Sequence, residues 1–193
     1  MKSAAALDIW YMKKTLLCLA ILIAETVGAA STISGQNLLA EGEVSVAPGA
    51  TGTVVVFLSA RCPCSNSHIE VLSKAAAEFK EFNFVAVHSN LEETKEEAVK
   101  YFTALKLPFP VIQDRNLKLA DEFRALKTPH AFVLSPSGTV LYKGGVTNSN
   151  HAPAADKNFL KDALADLRAG NAVRSPEGRT LGCEIKRRRT NAW

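Results

Sequence analysis

Apolar positions along the middle of the chain come in blocks whose periodicity alternates between strand and helix. Val54-Val55-Val56-Phe57-Leu58 is continuously apolar and largely β-branched, the pattern of a strand buried on both faces of a parallel sheet. Ser59 and Ala60 carry the chain out of it, and Pro63 suits the first position of a helix, where its missing N–H is not needed. From Pro63 to about Phe82, Ile69, Leu72, Ala76 and Phe79 recur at three- and four-residue intervals and predict a helix packed on the sheet. Phe84 to Val87 is the next buried strand. Glu92 to Leu105 is a second helix, acidic at its start, with Ala98, Tyr101, Phe102 and Leu105 on one face. Leu107 to Asp114 is extended and interrupted by prolines, and Leu117 to Phe123 makes a short helix. Pro129 to Leu134 is a strand, Ser135 to Gly138 a turn, Thr139 to Tyr142 its hairpin partner, and Asp156 to Arg168 a final helix. Between Ser31 and Thr53 the short apolar pieces predict weak strands or a loop. This alternation predicts an α/β fold with helices on both faces of one sheet.

The length, 193 residues, accommodates one such domain plus appendages. The net charge of +4 is unevenly placed. Arg174, Arg179, Lys186, Arg187, Arg188 and Arg189 outweigh Glu177 and Glu184, so the C-terminal tail carries the excess and the rest is neutral overall. That is not a nucleic-acid-binding composition, and the tail reads as a solvated basic end. At the other end, Lys13 and Lys14 precede an apolar run from Leu16 to Ala24, with Gly28, Ala29 and Ala30 following, the pattern of an export signal. Met12 makes a better start for it than Met1. Cleavage after Ala29 or Ala30 is expected, with a periplasmic or secreted product and no stable membrane span left. The chain therefore divides into a signal over 1–30, a domain over 31–170 and a basic tail over 171–193.

Removal of the signal leaves Cys62, Cys64 and Cys183, an odd number that leaves at least one thiol free, reactive or metal-bound. With Pro63 at the first helical position, Cys62 falls at the N-cap, facing unpaired N–H groups and the positive end of the helix dipole. Such a site stabilises a thiolate, the reactive form of cysteine. Cys62 is thus the candidate nucleophile.

Together these features resemble the thioredoxin superfamily in its redoxin branch, which includes peroxiredoxin-like proteins and periplasmic thiol-disulfide reductases. FLSARCPCS is similar to the strand-end motif in which the nucleophilic cysteine opens a helix, and FPVIQD follows an inserted helix as in redoxins. Thr128-Pro129 stands where the family has a cis-proline, SPSGTVLYKGG resembles its closing hairpin, and Gly182-Cys183-Glu184-Ile185-Lys186 resembles a subgroup with a GC-x-IK tail. The resemblance implies a thioredoxin-like three-layer fold, and an oxidoreductase that needs no cofactor. Its partners would be a protein or small-molecule disulfide, or a peroxide, and an external thiol reductant. Thr128 and Pro129, with Pro63, would form the substrate-binding set.

Several positions depart from that pattern. The second cysteine of a dithiol motif belongs at 65, where Ser65 stands, and Cys64 comes one residue early. A Cys62–Cys64 bond closes a small ring whose geometry invites strain. Thioredoxin's buried acid is replaced by Val56. Where peroxidases of the superfamily carry proline and threonine this chain has Val55 and Ser59, and the Ser59 hydroxyl is left as a donor to a bound oxygen. His68 is either a base near the cysteines or an exposed helix residue. His130 either approaches Cys62 or points away, and His88 and His151 have no partner in the sequence. Cys64 or Cys183 is the candidate resolving thiol, and Cys183 is otherwise a bystander in a flexible tail. A copper(I)-binding module without turnover is the competing function, with Cys62, Cys64 and His68 or His130 as ligands.

Overall fold

The computed structural model describes residues 31–187. The expected signal over 1–30 and the last six residues lie outside that range. A seven-stranded mixed sheet runs in the order β2-β1-β5-β4-β3-β7-β8. Its strands are β1 (Ile33–Asn37), β2 (Glu43–Val46), β3 (Gly52–Leu58), β4 (Phe82–His88), β5 (Val111–Gln113), β7 (His130–Leu134) and β8 (Val140–Gly144). The centre is parallel, β3 with β4 and β4 with β5, while β7 joins β3 antiparallel and β1 joins β5 antiparallel. Every residue of β3 is buried, as its unbroken apolar run requires.

The pleat of β3 divides the core in two. Val54, Val56 and Leu58 face helices α1 (Pro63–Glu78), α2 (Lys95–Leu105) and α4 (Phe159–Arg168) through Leu72, Ala75, Ala98, Phe102, Leu160 and Leu164. Val55 and Phe57 face the other way, onto Ala120 of α3 (Lys118–Glu122), Phe132 and Ile185. This is the three-layer α/β fold expected from the sequence.

Several boundaries differ from the sequence expectation: α1 ends at Glu78 rather than near Phe82, and β4 starts at Phe82 rather than Phe84. Helix α2 starts at Lys95 rather than Glu92, because Thr94 is its N-cap and closes a capping box with Glu97. Glu92 and Glu93 are thereby left in the preceding loop. Helix α4 starts at Phe159, capped by Asn158, with a short 3₁₀ turn at Ala152–Ala154 before it.

The segment over 171–187 does not trail into solvent. It runs beside β8, where the Lys143 N–H donates to the Pro176 carbonyl at 2.9 Å and the Gly178 N–H to the Lys143 carbonyl at 2.9 Å. It then forms β9 (Cys183–Glu184), antiparallel to β6 (Lys127–Thr128) with Thr128 opposite Cys183. Ile185 is buried in the second core, and Arg187 pairs with Asp121 at 2.9 Å and donates to the Ala125 carbonyl. Gly182 is what permits this docking. Its φ is +150°, and a Cβ there would overlap the Thr128 carbonyl oxygen.

Candidate functional site

Three elements meet at Cys62. Strand β3 ends at Leu58, helix α1 begins at Pro63, and Cys62 between them is the N-cap with extended backbone. The Ser65 N–H points at its sulfur at 3.4 Å, and the Thr128 carbonyl lies 3.1 Å from the same sulfur. The Thr128–Pro129 peptide is cis. From the other side β9 brings Cys183, so that the sulfurs of Cys62, Cys64 and Cys183 all lie within 4.8 Å of one another. All three are free thiols; Cys62 is buried, the other two partly exposed.

The three thiols are not equivalent. Burial pushes the Cys62 thiol up, but the Cys183 thiol, Thr128 and the Ser65 amide outweigh it and bring it down to about 7. Cys64 is raised, by burial and then by the charge of Cys62. Cys183 is pushed up to about 12 by burial and then by Cys62. At neutral pH Cys62 is the one that ionises.

A buried carboxylate beside this cluster escaped the sequence reading. Glu93 accepts hydrogen bonds from the Ser59 hydroxyl, the Ala60 N–H at 2.7 Å, the Asn90 side chain at 2.8 Å and His88 Nε2 at 2.9 Å. Burial alone would raise it, but His88 first, then Ser59 and Ala60, hold it down at about 2. His88 is fully buried, with Nδ1 toward Gln113 at 3.2 Å and its ring edge-on to Phe102. The Thr94-x-x-Glu97 capping box was the available signal, since it places Glu93 outside the helix.

The structure corrects several expected roles. Ser59 spends its hydroxyl hydrogen on Glu93, so it is not a free donor for a bound oxygen. His68 is neither exposed nor a free base. It is buried, its Nδ1 lies 2.7 Å from the Cys64 carbonyl and its Nε2 2.8 Å from the Thr147 hydroxyl. Against a carbonyl Nδ1 must donate, and burial lowers the ring's pKa. His68 ties the first turn of α1 to the loop after β8. His130 stacks on Phe132 with centroids 4.4 Å apart and belongs with neither sulfur. Neither histidine joins the thiol cluster, so the expected copper set of two cysteines and a histidine is not assembled; Cys183 takes the third place. His88, read as partnerless, is paired with Glu93, and Pro63 occupies the first turn of α1 beside Cys62.

A cleft of about 350 Å³ opens onto this constellation, bordered by Ser59, Arg61, Cys62, Asn90, Glu93 and Cys183. A larger cavity, about 600 Å³ between β1 and α3, lies among residues that carry no comparable chemistry.

A nucleophile-type cysteine at a strand-to-helix turn, facing a cis-proline loop in this sheet, defines a thioredoxin-fold redoxin, a thiol-redox oxidoreductase. The whole fold is similar to an uncharacterised conserved protein from Geobacillus kaustophilus, with a TM-score of 0.73, 24% identity, and 83% of this chain and 91% of that one covered. A hypothetical protein from Sinorhizobium meliloti 1021 gives 0.72, 22%, 83% and 93%. A secreted disulfide oxidoreductase of Mycobacterium tuberculosis, homologous to E. coli DsbE, gives 0.52, 17%, 72% and 95%. No curated protein sequence matches. The chain belongs to the AhpC/TSA family, whose model matches residues 30–143. That match ends before Cys183 and the tail that carries it.

Proposed function

We propose that this protein is a thiol-disulfide oxidoreductase in which Cys62 is the nucleophile and Cys183 resolves. The carrying observation is the gathering of three sulfurs within 4.8 Å around the one thiol brought down to about 7. The Cys62 thiolate attacks one sulfur of a disulfide R–S–S–R, forming Cys62–S–S–R and releasing RS⁻. Cys183, losing its proton, attacks the Cys62 sulfur, giving a Cys62–Cys183 bond and a second RS⁻. Two thiols of the protein are oxidised and one disulfide is reduced. An external dithiol then restores the starting state.

The order of events follows from the charges. Part of what holds the Cys183 proton is the negative charge of Cys62. Once Cys62 is in a mixed disulfide that charge is gone, so Cys183 becomes easier to ionise when its attack is needed. Cys64 competes poorly, because a bond to Cys62 closes a C-x-C ring within the first helical turn. Disulfides are favoured over peroxides because Ser59 is tied to Glu93 and Val55 stands where peroxidases have proline. Thr128 and Pro129 would flank the bound substrate sulfur. Export is part of this reading, supported by the charged, apolar and small-residue pattern of the first 30 residues; the mature chain would then begin at Ala30 or Ser31.

Non-reducing peptide mass spectrometry after one equivalent of a small disulfide tests the scheme. Cys62→Ser is expected to abolish turnover, Cys183→Ser to trap the mixed disulfide, and Cys64→Ser to keep turning over. A rapid Cys62–Cys64 bond would remove Cys183 from its role, and undiminished turnover in Cys62→Ser would end the proposal. The same three sulfurs favour one second reading, a three-thiolate copper(I) site, since soft thiolates select that ion. Equilibrium dialysis of the reduced protein against Cu(I) that leaves it metal-free rules this out.

A further inference from the structure

We infer that the C-terminal strand is a built-in occupant of the backbone edge beside Cys62, restricting the site to low-molecular-weight disulfides. The inference rests on Cys62 being the nucleophile. The Thr128 carbonyl lies 3.1 Å from the Cys62 sulfur, so β6 is the backbone edge next to the reacting atom. A polypeptide bringing a disulfide to that sulfur has to lay its flanking chain along this edge, where main-chain hydrogen bonds would hold it. In this structure the edge is already used. β9 pairs along it, Thr128 opposite Cys183 and Lys127 opposite Glu184, and the Ile185 N–H continues the ladder to the Leu126 carbonyl at 2.9 Å.

The strand is held at points beyond that ladder. Ile185 is 5% exposed and packed in the second core. Arg187 bridges to Asp121 and to the Ala125 carbonyl, and the Lys186 carbonyl accepts from the Leu91 N–H at 3.3 Å. Gly182 has no side chain where one would strike the Thr128 carbonyl. With the strand in place Cys62 is 2% exposed, and what leads to it is the cleft of about 350 Å³. A space of that size suits a small disulfide and not a folded protein with its disulfide loop. The strand that shields the nucleophile also supplies the resolving thiol, so a small substrate finds the second sulfur in place, whereas a polypeptide that displaces the strand displaces Cys183 with it.

The test measures the attack step alone, so that resolution by Cys183 does not enter. It compares the two substrates on the same variant, because release of the strand also withdraws the Cys183 hydrogen bond that helps ionise Cys62. The fully reduced protein is mixed with bis(2-hydroxyethyl) disulfide or with insulin, quenched with acid, and loss of the free Cys62 thiol is followed by mass spectrometry. For the unaltered chain the rate constant with the small disulfide should exceed that with insulin by about a hundredfold, the penalty of an edge open about one per cent of the time. Replacing Ile185 by Asp together with Arg187→Ala should raise the ratio of the insulin rate to the small-disulfide rate by about tenfold or more as the open population grows. Hydrogen exchange at the backbone amide of position 185 reports release of the strand; where that amide stays protected, Gly182→Val replaces the double variant. Equal rates for insulin and the small disulfide in the unaltered chain overturn the inference. So does an unchanged ratio of the insulin rate to the small-disulfide rate in a variant whose strand is released. Failure of both substrates to oxidise Cys62 instead overturns the nucleophile reading.

Discussion

Glu93 concentrates more of the local energetics than any other polar side chain near the sulfurs. It is the common acceptor for Ser59, Ala60, Asn90 and His88, and of these the buried Ser59 hydroxyl and His88 Nε2 would lose their acceptor without it. Glu93→Ala should therefore cost about 2–4 kcal/mol of stability by denaturant titration, and Glu93→Gln visibly less, since the amide oxygen still accepts. Because its folded pKa is depressed to about 2 from 4.5, the ionised carboxylate stabilises the fold fully above pH 4.5. That contribution shrinks as pH falls from 4.5 toward 2, where the unfolded chain binds the proton first, and Glu93→Gln should flatten this acid limb. At Cys62 the sign refers to reactivity. Alkylation by iodoacetamide should rise through a midpoint near pH 7, whereas an ordinary cysteine would respond nearer 9, and Cys62→Ser should remove that early phase.

The elements whose pattern is local were legible in the sequence, and those fixed by partners far along the chain were not. β3 could be read because burial on both faces leaves no polar position in it, and the Cys62 N-cap because Pro63 marks the first helical residue. Glu93 could not, since its burial depends on the in-register pairing of Leu58 with His88, which brings the ends of β3 and β4 together. His68 likewise found its partner in Thr147, across the length of the domain. The start of α2 illustrates the same division. The acidic run beginning at Glu92 suggested a helix there, whereas the Thr94 capping box, with both reciprocal hydrogen bonds present, sets the first helical residue at Lys95. Thr94→Ala should cost about 1 kcal/mol in chemical denaturation and loosen the loop that holds Glu93.

For the whole molecule, the tail's composition misled because charge alone reads as solvation. Arg174 is paired with Asp166 and Arg187 with Asp121, so two of its basic residues are engaged within the domain. Ile185, one of its few large apolar residues, is buried. A polar segment with so few apolar residues docks because strand pairing and ion pairs supplement them. No helix among the described residues is long and apolar enough to cross a membrane.

The separation of Cys62 and Cys183 along the chain has a thermodynamic consequence. Nearly the whole domain, from the end of β3 through α4, lies between them. A bond between the two would close a loop of roughly 120 residues and stabilise the oxidised fold by about 4–5 kcal/mol over the reduced one. The oxidised protein should then melt well above the reduced, by calorimetry with and without a dithiol. By the same cycle, folding must make that bond harder to reduce by an equal free energy, about 90–110 mV for a two-electron couple. Loosening the domain anywhere, even far from sulfur, would thus shift the balance between oxidised and reduced protein, and unfolding would release the bond to any modest reductant.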